Sequence, residues 1–295
     1  MAGRILIADN VSTNRIILKV KLAAARYEVM QAASAPDALA RARADRPDLI
    51  ILDATLSEDG VSGLCARLRA DPATRRIPIL VLDNTPDRPR RLAAFGAGAD
   101  EYVAKPVDET TLLALVRNLM RTRATHDELS RRQGAEEAIA MGEPRAERPR
   151  RQARVALVAP TPELGIGWRR ALGMQLDAKL MVMTRPEALD ALSAATPPDA
   201  FVVAAQTDYP GDGIRMMSEL RSRAAGRHAV VIVVDVPPAS GLAPIALDVG
   251  ASAVLEAPFD PEELAARLRI LTAHKLETDA LREAFDRRLQ LASID

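Results

Sequence analysis

The chain has 295 residues, with 40 Lys+Arg balancing 40 Asp+Glu. At roughly 100–200 residues per domain this means about two domains, and the zero net charge argues against a generic nucleic-acid binder. The single cysteine, Cys65, excludes an intrachain disulfide framework and a thiolate zinc cage, and His126, His228 and His274 are too scattered for a histidine-rich metal site. The N-terminus MAGRILIADN has no long apolar run, and nothing in the chain is apolar enough to span a bilayer. The expectation is a cytoplasmic protein without membrane insertion. Aromatics make up 3% and apolar residues 48%, so the cores are aliphatic.

In chain order, short β-branched runs alternate with amphipathic stretches. Strands are expected at Arg4–Ala8, Tyr27–Ala32, Asp48–Leu52, Ile77–Leu82 and Glu101–Ala104. Helices are expected at Ser12–Ala25, Pro36–Ala44, Gly63–Ala70, Arg88–Phe95 and from Asp108 onward. The strands lack polar alternation, which suits a parallel sheet buried on both faces. Five βα units then predict a doubly wound α/β sheet.

The pattern then repeats. RILIAD at Arg4 returns as RVALVAP at Arg154, and DLIILDA at Asp48 as DAFVVAA at Asp199. IPILVLDNTP at Ile77 returns as AVVIVVDVPP at Ala229, and GADEYVAKPVDETTL at Gly98 as GASAVLEAPFDPEEL at Gly250. The register drifts by two residues only, so one structural unit occurs twice. Strands of the second copy are expected at Arg154–Ala159, Lys179–Met183, Ala200–Ala204, Val230–Asp235 and Ala253–Glu256.

Four segments follow: a first unit over 1–122, an extended helix and Pro/Arg linker over 123–152, a second unit over 153–274, and a stalk helix over 275–295. The helix from Asp108 runs on until Gly142, Pro144 and Pro149 end it. Arg145, Arg148, Arg150 and Arg151 read as a solvated linker rather than a phosphate-binding patch. The last helix starts at Pro261, and Leu264, Leu268, Leu271, Leu281, Phe285, Leu289 and Leu291 mark its apolar side. Only its first half is expected to pack on its own unit. The rest reads as a projecting stalk that could pair as a coiled coil.

The chemistry collects at the carboxyl ends of strands, where such sheets bind ligands. In the first unit these ends carry Asp9-Asn10, Asp53, Asp83 and Lys105. Three acids and an amide within reach of one another suit Mg²⁺, and a lysine beside them can pair with a phosphoryl oxygen. Asp53 is the natural nucleophile, a carboxylate able to accept a phosphoryl group. A phosphatase with Asp53 as nucleophile is a weaker reading, because the second acid such enzymes place two residues on is here Thr55.

On ILIADN (Ile5–Asn10), DLIILD (Asp48–Asp53), IPILVLD (Ile77–Asp83) and GADEYVAKP (Gly98–Pro106), the chain resembles the tandem receiver domains of two-component response regulators. More narrowly it resembles the receiver–receiver part of PleD-type diguanylate cyclases. The resemblance implies two flavodoxin-like (βα)5 receiver domains in tandem with a long C-terminal stalk helix. It implies Asp53 as phospho-acceptor, Mg²⁺ held by Asp9, Asn10, Asp53 and the Thr55 carbonyl, Lys105 on the phosphoryl group and Tyr102 as the switch aromatic, with Lys105-Pro106 often cis. A histidine kinase or phosphotransfer protein would phosphorylate Asp53 and so control homodimerisation, through receiver surfaces and stalk, of a cyclic di-GMP-forming output.

Asn10 departs from the usual Asp of the metal pair. Asp83 replaces the Ser or Thr whose hydroxyl reads the phosphoryl group, with Thr85 two residues on as a substitute hydroxyl. The Asp59-Gly60 loop also sits one position early. In the second unit Ala159-Pro160, Ala204 and Ala257 occupy the metal, acceptor and lysine positions, leaving Asp235 without partners. That unit reads as a degenerate receiver kept for its surface. No GGDEF motif follows Leu289–Asp295, so this chain is expected to lack cyclase activity and to be a regulatory fragment rather than a stand-alone adaptor. The alternative reading is a phosphate-independent dimerisation scaffold in which both receivers are degenerate.

Overall fold

The computed structural model describes residues 3–57, 60–85, 87–137, 151–206, 212–236 and 241–292. The chain divides into two compact units, Met1–Arg123 and Ala124–Asp295. In the first, β1 (Arg4–Ala8), α1 (Ser12–Ala24), β2 (Glu28–Ala32), α2 (Ala35–Asp45), β3 (Leu49–Asp53), α3 (Val61–Ala70), β4 (Ile79–Asp83), α4 (Arg88–Gly96), β5 (Glu101–Ala104) and α5 (Glu109–Glu137) follow one another. The strands form one five-stranded sheet in the order β2-β1-β3-β4-β5, every pair parallel. This is the flavodoxin-like winding, with its switch point between β1 and β3.

The central strands β3 and β4 are buried at every residue, as a sheet covered on both faces requires. Ile5, Ile7, Leu49, Ile51, Leu80 and Leu82 face Leu18 and Leu22 of α1 and Leu112 and Val116 of α5. Helix starts follow capping chemistry. Ser34 accepts from the Asp37 N–H at 3.3 Å and Asp87 from the Arg90 N–H at 2.7 Å, each with a proline in the first turn. The strand expected from Ile77 starts at Ile79, although the Pro78 carbonyl already accepts from the Ile50 N–H.

The second unit repeats the plan with β6 (Ala153–Val158), α6 (Pro162–Gly173), β7 (Ala178–Val182), α7 (Arg185–Asp190), β8 (Ala200–Gln206), α8 (Asp212–Ser222), β9 (Val230–Val236), α9 (Leu242–Val249), β10 (Ala253–Glu256) and α10 (Pro261–Ala292). Its sheet order is β7-β6-β8-β9-β10, the same winding read from the other edge. One face packs Val155, Leu157, Val202 and Ile232 against Trp168 and Leu172 of α6 and Leu264 and Leu268 of α10. The other packs Val158, Phe201, Val203 and Val231 against Met216, Met217 and Leu220 of α8.

The duplication extends to its fastenings. Arg69 donates to the carbonyls of Gly98 and Ile77 at 2.8 and 2.7 Å, and Arg221 donates to those of Gly250 and Ala229 at 3.1 and 2.6 Å. Gly98 and Gly250 both have positive φ (97° and 118°), a conformation open to glycine. Asp48 accepts from the Arg4 N–H at 2.7 Å, and Asp199 from the Arg154 N–H at 2.9 Å. Lys105-Pro106 and Ala257-Pro258 are both cis.

Only the first half of the last helix is expected to pack on its own unit; in the structure Leu281, in its second half, is buried as well. Residues 138–150, which hold Gly142, Pro144, Pro149, Arg145, Arg148 and Arg150, lie outside the described residues, as do Asp59 and the end of LQLASID. Among the described residues no helix is long and apolar enough to cross a membrane.

Candidate functional site

The carboxyl ends of β1, β3 and β5 bring three of the expected residues together. Asp9 and Asp53 are 1% and 3% exposed. Lys105 Nζ lies 2.5 Å from Asp53 Oδ2 and 3.2 Å from Asp9 Oδ2, bridging the two carboxylates. Each carboxylate is also held from its own side. Asp9 Oδ1 accepts from the Val11 N–H at 2.8 Å, and Oδ2 from the Asn14 amide at 3.1 Å. Asp53 Oδ1 accepts from the Thr55 N–H at 2.8 Å and from the Thr55 hydroxyl.

Burial alone would push the Asp53 carboxyl up. The Lys105 ammonium and the two Thr55 donors outweigh that and hold it below the ordinary carboxylate value, so it stays ionised. Burial likewise opposes the charge on Lys105, but Asp53 and Asp9 overcome it and raise its pKa. The result is an ionised carboxylate, oriented by fixed donors and facing a fixed ammonium, an arrangement that can serve nucleophilic chemistry on an anionic group.

Asp83 does not join this cluster, which corrects the expected set of three metal-binding acids. Among the described residues no group of three His, Cys, Asp or Glu side chains is placed to share a metal ion. Fully buried Asp83 instead accepts from the Tyr102 hydroxyl and, at 3.0 Å, from the Thr85 N–H, with Arg90 NH1 at 3.8 Å. Burial, and then the Asp83 carboxylate, drive the Tyr102 pKa up, so the phenol stays a donor. The Thr85 hydroxyl accepts from Arg90 at 3.3 Å.

The donor set still fits Mg²⁺, which commonly takes one or two carboxylates and keeps several waters. Asp9 and Asp53 are hard oxygen donors on one lysine, and Asn10 beside them is exposed. The reading from sequence missed Asn14 and the Thr55 side chain as orienting donors. Asn14 lies in the first turn of α1, five residues past Asp9, a spacing that offered a signal only once Asp9 was placed at the strand end.

Among the described residues, the equivalent ends in the second unit carry no such cluster. Ala159, Pro160 and Ala204 line a cavity of about 380 Å³. Ala257 stands where Lys105 stands, its N–H bonded to the Asp235 carbonyl at 2.9 Å as the Lys105 N–H is bonded to the Asp83 carbonyl at 2.7 Å. Asp235, expected to be isolated, is buried and is not without a partner.

Residues 5–117 match the family model described as the response regulator receiver domain. The whole chain is 33% identical over 297 aligned positions to Response regulator PleD of Caulobacter vibrioides. That match covers 100% of this chain and 64% of the relative, so the chain spans just under two thirds of the relative's length. The phosphate regulon regulatory protein PhoB of Rhizobium meliloti is 35% identical over 123 residues, covering 41% of this chain and 53% of PhoB. Among solved structures, chemotaxis protein CheY4 of Vibrio cholerae is 26% identical over 40% of this chain and 99% of its own, with a TM-score of 0.39.

Proposed function

Residues 5–117 match the response regulator receiver domain, and we propose that the chain is a response regulator of two-component signalling with Asp53 as its phospho-acceptor. The observation that carries this is the buried, ionised Asp53 carboxylate held 2.5 Å from Lys105 Nζ. In the reaction an Asp53 oxygen attacks the phosphorus of a phosphohistidine or acyl phosphate. A new O–P bond forms, the donor's N–P or O–P bond breaks, and the bonding pair leaves with the imidazole or carboxylate. Lys105 would donate from its ammonium to a phosphoryl oxygen as the phosphoryl group arrives on Asp53. Thr55 fixes the carboxylate's orientation before attack. Asp9 and Asp53, with the Asn10 amide and the Thr55 carbonyl, would hold Mg²⁺, whose charge neutralises the phosphoryl oxygens.

The partner is a histidine kinase or phosphotransfer protein. Support comes from α1, which starts beside Asp9 and exposes Ile16, Ile17 and Val20, an apolar face next to the acceptor. In this reading phosphorylation of the first unit controls homodimerisation. The second unit acts as an adaptor, and α10 leads toward a diguanylate cyclase output in cyclic di-GMP signalling. The full-length similarity to PleD supports that arrangement.

The test is phosphoryl uptake from acetyl phosphate with Mg²⁺, followed by intact-mass spectrometry. The wild type should gain one phosphoryl group and Asp53→Asn none. Equal uptake by both would remove Asp53 from the role.

A further inference from the structure

The second unit has lost its ionic groups without filling the space they would occupy. Where Asp9, Asp53 and Lys105 crowd the first unit, small residues leave the cavity of about 380 Å³. This lies toward the lower end of the ~300–1,000 Å³ typical of small-molecule sites, and it opens at the carboxyl ends of parallel strands, where such sheets bind ligands.

Its walls are apolar in depth. Val158, Val182, Met183, Val203, Ala204 and Met216 line it. Thr161, Thr184, Arg185 and Glu187 supply its polar lining. Neither charged group is turned to the cavity as a counter-charge, because each is engaged with a neighbouring side chain. Arg185 is already paired with Glu219 at 2.8 Å, and Glu187 accepts from the Thr184 N–H and hydroxyl at 2.8 and 2.9 Å. An ion entering the cavity would lose its hydration without a counter-charge, so the fitting ligand is uncharged.

The cavity is also preformed. A Cβ at Gly213 would come within 2.7 Å of the Ala205 Cα, and one at Gly165 within 2.6 Å of Val182 Cγ1. Glycines at these two points let α8 and α6 lie directly on β8 and β7, which sets the walls by close contact of backbone and sheet. A cavity held open this way has less ordering cost to meet on binding.

We infer that the vacated acceptor site of the second unit binds a small uncharged molecule, mainly apolar, with one hydroxyl or carbonyl end that hydrogen-bonds at the threonine-bearing wall. The site does not depend on Asp53 chemistry.

The probe is 1-naphthol, added to the full chain and followed by calorimetric titration and by NMR of the alanine and methionine methyl groups. Saturable binding of one molecule per chain is expected, with shifts at Ala204, Met183 and Met216. Ala204→Leu and Ala159→Leu each add bulk to a residue that lines the cavity. Each should weaken binding by about tenfold or more while retaining cooperative unfolding. Asp53→Asn should bind as the wild type does. Absence of saturable binding to the wild type, or undiminished binding in whichever plugged variant stays folded, would overturn the assignment.

Discussion

At the scale of single residues, Asp83 sets the first unit apart from the receiver domains it resembles. The family resemblance places there a hydroxyl that donates to the phosphoryl group. A carboxylate cannot donate, and this one is already satisfied by Tyr102 and the Thr85 N–H. It ends β4 beside Asp53 on β3, where it would repel an incoming phosphoryl group. One like charge near the acceptor is worth about 1 kcal/mol, roughly fivefold in rate. Asp83→Thr should therefore speed phosphoryl uptake from acetyl phosphate by about that factor, read by mass spectrometry over time. An unchanged rate would show that Asp83 lies outside the field of the acceptor. Tyr102 itself was legible in sequence as an aromatic at the expected position. Its partner was not, because position alone does not say that a buried carboxylate will take the phenol as its donor.

At the scale of elements, the strands and most helix starts were legible because apolar runs and capping residues act locally. Ser34, Asp87 and Thr161, not singled out in the sequence, each sit one or two residues before a proline and cap a helix in the structure. The reach of α10 was not legible, since its periodicity continues unchanged past the point where packing could end. Asp199 fastens the helix near its midpoint. It is buried at the start of β8, takes both Arg151 guanidinium nitrogens at 2.7 Å, and has Lys275 of α10 at 3.3 Å. One carboxylate thus fastens both the segment leading into β6 and the helix leaving the unit. Burial opposes its charge, but Arg151, the Arg154 N–H and Lys275 prevail and hold its pKa below the ordinary 3.8. A depressed folded-state pKa gives stability that is present above the unfolded value and lost as pH falls through the folded one. Asp199→Asn should cost about 1–3 kcal/mol at neutral pH and flatten the loss of stability below about pH 4. Urea unfolding across pH tests both, and hydrogen exchange should quicken in α10 after Lys275. Wild-type exchange there in the variant would mean that the clamp does not hold the helix.

The molecule as a whole is one fold used twice, with its fastenings kept and its chemistry divided. Arg69 and Arg221, Asp48 and Asp199, and Gly98 and Gly250 recur at matching places away from the strands' carboxyl ends. At those ends one unit keeps Asp9, Asp53 and Lys105, and the other has Ala159, Ala204 and Ala257. The duplication was legible because both copies must satisfy the same sheet. The cavity was not, because substitution by alanine signals lost chemistry without saying whether neighbours close over the gap. In the proposed function the first unit receives the signal and the second passes it on. Sedimentation velocity of the full chain, with and without beryllofluoride and Mg²⁺, tests that directly. The account predicts that the phosphoryl mimic shifts the wild type toward dimer and leaves Asp53→Asn where it was. A wild type that does not respond, or a variant that responds equally, would contradict it.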